Sequence, residues 1–257
     1  MPLCGSRNCG CAITSDTLQI SGSGTETSPW QIDLVGVVAT SNTELFEASG
    51  TWIKPVGLAF IIVELVGGGG GSGGAALTGA AQASAGGGGG GGGYARKMIL
   101  ASALGATEAV TIGAGGAAGA AAAGTGGTGG TTSFGSHCSA TGGTGGTGGN
   151  AAATPAPTGA NGGSPGTGTN GDINIQGENG HGTFLFPGRM RRAIGGASQL
   201  GNAADDNTNA SGAPGAAGHL YGGGASGAFN AQNQATNQAG AVGAAGVVIV
   251  QEFLTGA

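Results

Sequence analysis

Three cysteines stand close together at the start of the chain, in Cys4-Gly-Ser-Arg-Asn-Cys9-Gly-Cys11. Thiolates at this density can hold zinc or an iron–sulfur cluster, and they can equally close into disulfides. The C-x4-C-x-C spacing matches no standard zinc pattern. Three ligands per chain would suit a three-fold axis, where several chains complete one site. Two readings therefore stand side by side: a metal site at Cys4, Cys9 and Cys11, or a short cysteine-rich tip without metal. Beyond that possible metal, no cofactor is expected.

Catalytic constellations are harder to find. Gly162-Gly-Ser-Pro-Gly166 fits the G-x-S-x-G pattern by letter. A nucleophile elbow needs a buried strand before it and a helix after it, and this stretch has neither. Gly124-Thr-Gly-Gly-Thr-Gly129 fits G-x-G-x-x-G, but it follows no apolar strand and opens no helix, as a dinucleotide site must. Neither Lys54 nor Lys97 follows a glycine, so there is no Walker A loop. His137, His181 and His219 are isolated, and Asp205-Asp206 lies in an Asn-rich polar stretch. The expectation is a protein without catalytic residues.

Binding is the remaining chemistry. The candidates are bulky or charged residues set among small ones: Phe184, Phe186, Arg189, Arg191, Arg192, Tyr221 and Phe229. Aromatic side chains exposed amid small residues mark recognition surfaces. Tyr221 and Phe229, flanked by Gly and Ala, are expected to be exposed. Phe184 and Phe186 read more readily as core. Nucleic acid is not the expected partner, because phosphate binding needs several Lys or Arg contacts and the chain has 7 such residues with a net charge of −5.

The elements that must position these residues come from an unusual composition. Of 257 residues, 64 are Gly, and charged residues make up 7%. Pro is 8, with no strict Gly-X-Y frame, which excludes collagen. Large apolar residues are unevenly placed. Leu58–Val66 is nearly continuous apolar, whereas Leu77 stands alone between Gly67 and Gly93, and Phe134 between Gly113 and Asp172. The predicted strands are 44–46, 50–55, 58–66, 94–100, 108–112, 131–134, 137–140, 172–176, 183–186 and 247–253. The run 58–66 reads as central or buried on both faces. Ahead of them, Thr17–Ile20 and Trp30–Leu34 alternate at period two and form a small module over residues 1–40; residues 41–257 form the main domain. No segment carries a useful amphipathic helix pattern. The longest apolar run is too short to span a bilayer, and Met1–Arg7 lacks the apolar core of a signal peptide.

Between the strands, Thr125–Gly130 and Thr141–Gly149 repeat every three residues. Polyproline II geometry also has three residues per turn and no internal hydrogen bonds. Glycine-lined helices of this kind can approach closely and bond to one another. The predicted fold is all-β: a β-sandwich-like base with glycine-rich loops packed as polyglycine II-type helices.

From Phe46 to Phe253 the chain resembles the glycine-rich domain of bacteriophage tail fibres and tail-tip adhesins. The resemblance rests on Thr51-Trp-Ile-Lys-Pro55, Ile62–Gly71, Gly93-Tyr94, Val110–Gly116, Gly130–Gly135, Ala140–Gly143, Tyr221–Gly224 and Gly243–Val250, in that order. Cys9-Gly-Cys11, Ser21–Thr25 and Ser28-Pro-Trp-Gln-Ile32 are similar to short attachment modules of such proteins. The resemblance implies a virion protein at the tail tip, made in the host cytoplasm and homotrimeric. Its partners would be other tail proteins, through residues 1–40, and a host cell-surface receptor, glycan or protein, with no membrane insertion. A purely structural minor tail or capsid-decoration protein is the alternative.

Overall fold

The computed structural model describes residues 18–21, 31–34, 38–153, 159–183, 185–186, 189–190, 192–204 and 211–255. The fold is all-β, and among the described residues the one helical element is a 3-10 turn at Ala101–Ala103. Its base is a pair of five-stranded antiparallel sheets. The first has the order Ile173–Ile175, Tyr94–Leu100, Leu58–Val66, Val247–Thr255, Val38–Phe46. The second has the order Gly168–Thr169, Cys138–Ala140, Thr132–Phe134, Thr107–Thr111, Gly50–Ile53. Period-two alternation along Leu58–Val66 sends Ile61, Val63 and Leu65 inward, where they are fully buried. They meet Trp52 and Phe134 of the second sheet, whose rings pack edge-on at 5.7 Å. The Trp52 indole N–H donates to Glu252 Oε1 at 2.7 Å and ties the sheets together through a buried polar bond.

Leu58–Val66 is central in its sheet, one of the two readings of its apolar run. Phe60, Ile62 and Glu64 on the outer face are half-buried, because no layer covers them among the described residues. The strand expected at 44–46 is longer and runs Val38–Phe46.

Above the base, glycine tracts replace sheets. Tract 67–75 is buried almost throughout, and its bonding follows a three-residue rule. The N–H groups of residues 67, 70 and 73 donate to carbonyls of 93, 90 and 87. Those of 68, 71 and 74 donate to 130, 127 and 124, and those of 69, 72 and 75 to 244, 241 and 238. These distances are 2.8–3.0 Å. Carbonyls 68, 71 and 74 accept from 143, 146 and 149; carbonyls 69 and 72 from 116 and 119; carbonyls 70 and 73 from 225 and 228. The tract thus donates to three antiparallel neighbours and accepts from three parallel ones. Tract 86–93 is bonded at the same three-residue spacing: it donates to 222–228, 141–147 and 178–181, all antiparallel, and accepts from the antiparallel tract 67–73 and from 163–166 and 196.

This bonding explains the composition. Ordering a residue costs roughly 1–2 kcal/mol of backbone entropy, and glycine loses the most. Tracts fixed at both ends by strands, with every amide bonded to a neighbour, can meet that cost. Six neighbours around one backbone leave no room for side chains. A β-carbon added at Gly70 would sit well inside 3.0 Å of the Thr144 carbonyl, and one at Gly90 would meet the Ser164 carbonyl. Where a tract reaches the surface, the third position becomes threonine. Thr141, Thr144 and Thr147 hydroxyls accept the N–H groups of Thr167, Ser164 and Asn161 at 2.9, 2.7 and 2.7 Å. They take the place of the neighbouring tract that is missing there.

Candidate functional site

The tracts run away from the base and turn back at a distal end. The described residues at these turns include 76–85, 120–123, 150–153, 211–213 and 229–238. Four short strands cap this end, in the order Ala152–Ala153, Gln82–Ala85, Phe229–Asn230, Gly212–Ala213. Their residues are small enough for strands to sit directly on the ends of the tracts. Ala83, Ala85 and Phe229 form the buried cluster beneath, with Ala152 and Ala213 packed on it.

Phe229 therefore corrects the expectation of exposure. It is buried, because it fills the space under the cap that the alanines leave. Arg192 is buried beside it, its guanidinium 5.6 Å from the ring centroid. Its Nε donates to Gly227 O at 2.8 Å, and an Nη donates to Pro214 O. Arg192 thereby ties its own segment to residues 214 and 227 from within. Phe186 and Arg189 pair in the two-stranded ribbon Leu185–Phe186/Arg189–Met190. Phe184 and Arg191 lie outside the described residues, as do Cys4, Cys9 and Cys11.

Tyr221 sits at the opposite end. It packs with Leu200 against Val66, Tyr94 and Val247 where the tracts meet the base. Its hydroxyl donates to Glu47 Oε1 at 2.5 Å. That bond, with some desolvation, raises the phenol above its ordinary value, because ionising it would place two negative charges together. Among the described candidates, Tyr221 thus lies apart from Phe229 and Arg192.

What the distal end does present is a loop that the aromatic-centred reading missed. Residues 229–238 read Phe-Asn-Ala-Gln-Asn-Gln-Ala-Thr-Asn-Gln, and this density of uncharged amides was the available signal. The loop is pinned to residues 76–79. Leu77 N–H donates to Asn237 Oδ1 at 2.7 Å, Thr78 N–H to Gln234 O at 2.9 Å, and Gln234 N–H to Thr78 Oγ1 at 3.1 Å. Asn230 is fully buried, and its amide N–H2 donates to Ala76 O and Thr236 O. Leu77 itself is 51% exposed at the centre of this rim. The surface offers amides, hydroxyls and a leucine, a set suited to hydrogen bonding and apolar contact rather than charge pairing.

A sequence model of the glycine-rich domain family matches residues 42–252. The chain belongs to the glycine-rich domain family. No curated protein matches it. The matched span begins in the first strand of the base and ends in the last, so the glycine-rich domain includes both the paired sheets and the tracts between them.

Cys138 and His137 lie in the base of the glycine-rich domain. Cys138 is buried between the sheets, and burial pushes its thiol up to about 11. Neighbouring His137 Nε2 lies 3.3 Å from Glu108 Oε1. Among the described residues no cluster of three or more His, Cys, Asp or Glu could hold a metal. No helix among them is long and apolar enough to cross a membrane.

Proposed function

We propose that this glycine-rich domain is a non-catalytic phage tail-tip adhesin that binds the host surface through its distal loops. One observation carries the reading: the amide-rich loop 229–238 is held against residues 76–79 at the end of a backbone-bonded lattice, presenting uncharged donors and acceptors around Leu77. The tracts are read as polyglycine II-type helices, which the recurrence of every bond at three residues supports. A scaffold of this kind keeps loops preorganised, which lowers the entropy lost on binding. Residues 1–40 would join the protein to the tail, as part of a homotrimeric assembly.

The test is adsorption competition with the purified full chain and the phage that carries it. Saturating protein should bind host cells and slow adsorption. Exchanging residues 229–238 for the loop of a relative with another host should shift host range. Protein that neither binds nor competes would refute the reading, and a loop exchange without effect would favour a purely structural tail or decoration protein.

A further inference from the structure

Residues 141–147 and 125–131 have the same sequence, Thr-Gly-Gly-Thr-Gly-Gly-Thr. The first copy carries a strand on its threonines. Thr141, Thr144 and Thr147 N–H groups donate to Thr167 O, Ser164 O and Asn161 O at 2.9, 2.9 and 3.0 Å. Their hydroxyls accept the N–H groups of those same three residues. The threonines thus form a ladder that offers one donor and one acceptor at every third residue. Segment 161–167 lies on it antiparallel and is held by its main chain.

The second ladder is open. Gly126 and Gly129 N–H groups donate to Gly146 and Gly143, and those of Gly127 and Gly130 to Ala117 and Ala114. These bonds use two of the tract's three donor directions. The third belongs to Thr125, Thr128 and Thr131, which are exposed. Their N–H, carbonyl and hydroxyl groups have no partner among the described residues. Tract 141–149 is bonded to 125–131 on one side and to 161–167 on the other. The open row therefore continues an interface that the molecule already makes.

The filled ladder defines what fits. Gly163 and Gly166 precede the paired Ser164 and Thr167, and a β-carbon at either would collide with the carbonyl of Thr144 or Thr141. Asn161 and Ser164 are exposed, so polar side chains are tolerated at the paired positions. A matching strand has glycine at every third residue, each followed by a paired residue. Six steps of about 3.1 Å give it a contact roughly 19 Å long. The pairing is one-way, because the threonine row supplies both N–H and hydroxyl while its occupant supplies main chain only. Two identical rows related by a two-fold axis would each have to play both parts, which disfavours a second copy of this row as the occupant.

We infer that Thr125, Thr128 and Thr131 dock a glycine-rich strand of another protein, antiparallel to their own tract and recognised through its main chain. The contact adds one strand to the lattice, and it does not depend on adhesion by the distal loops.

The test uses the isotope-labelled full chain and, as probe, a synthetic peptide with the sequence of residues 159–168. Nuclear magnetic resonance should show saturable shifts of the Thr125, Thr128 and Thr131 amides, with a Kd on the order of 1 mM because a free peptide loses its own flexibility on docking. The G163A/G166A peptide should bind roughly tenfold more weakly, since its methyl groups overpack the ladder. Thr128→Val in the full chain removes one hydroxyl acceptor and should weaken the parent peptide roughly fivefold. Absence of shifts at these three amides at roughly 10 mM peptide would overturn the inference. Equal binding of both peptides would do the same, as would shifts confined to Thr141, Thr144 and Thr147, which would mean exchange into the filled ladder. Shifts of the three amides on dilution without peptide would assign the row to a second copy and overturn it too.

Discussion

Replacing Gly70 by Ala puts the lattice to its sharpest test. Gly70 donates to Gly90 O at 2.8 Å and accepts from Ala225 N–H at 3.1 Å. The new methyl would collide with the Thr144 carbonyl, and that carbonyl accepts the Gly90 N–H at 2.9 Å. Relief of the clash must therefore break a second tract's bond. Overpacking costs about 1–3 kcal/mol, and a buried amide left without its acceptor about 1–3 kcal/mol more. Together roughly 2–6 kcal/mol is lost from a total that is typically about 5–15 kcal/mol. At about 2–4 °C per kcal/mol for a domain of this size, the melting temperature should fall by roughly 4–24 °C. Differential scanning calorimetry reads this directly. Thr128→Ala, at an exposed position of a neighbouring tract, is the control and should stay within about 0.5 kcal/mol of wild type. A flexible tract would respond with the opposite sign, since Gly→Ala then stabilises by about 0.4–1 kcal/mol through the unfolded chain. A G70A protein that melts at or above the wild-type temperature refutes the packing argument.

Other outcomes follow from single contacts. Glu252→Ala should cost about 1–3 kcal/mol in urea unfolding, because the buried Trp52 N–H loses its acceptor, while Glu252→Gln keeps an oxygen there and should cost less. Stability should fall at alkaline pH. Cys138 titrates at about 11 in the fold against an ordinary 9.0, so the fold favours the thiol; its contribution is complete below pH 9 and lost as pH rises to about 11. At about 1.4 kcal/mol per unit the loss is on the order of 3 kcal/mol. Tyr94, raised from 10.0 to about 12 chiefly by burial, adds a second loss of the same sign at higher pH, and melting temperatures from pH 8 to 12 check both. Tyr221→Phe should leave the melting temperature little changed and host adsorption unchanged, since its hydroxyl serves Glu47 at the base. Leu77→Asp, on the distal rim, should weaken adsorption with little change in melting temperature, as measured on the same preparations.

The base was legible because Leu58–Val66, Tyr94–Leu100 and Val247–Thr255 are apolar enough to declare themselves as strands. The period-three runs were legible where threonine marks the surface position, as in Thr141–Gly149. In 86–93 every position is glycine, so the sequence has no mark to show which neighbour each residue faces. The cap strands were missed for a related reason. Gln82–Ala85 and Gly212–Ala213 lack β-branched or aromatic residues, and they are strands because the tract ends leave them no other place to bond. Burial of Phe229 was hidden because its partners are alanines and the guanidinium of Arg192, too small or too polar to read as core. Tyr221 was singled out for its glycine surroundings, yet those glycines let the backbone approach the base, where Tyr221 packs.

Three donor directions per tract also act as a reading frame. Residues 67, 70 and 73 address one neighbour, and shifting the chain by one position readdresses all of them. Deleting one residue from 86–93 would misdirect every amide downstream of the cut, whereas a deletion of three would shorten the tract in frame. The distal loops obey no such frame. In a lineage of these proteins, tract lengths should differ by multiples of three, while lengths between tracts vary freely. The molecule can therefore renew its tips by insertion and deletion without retuning the lattice that carries them.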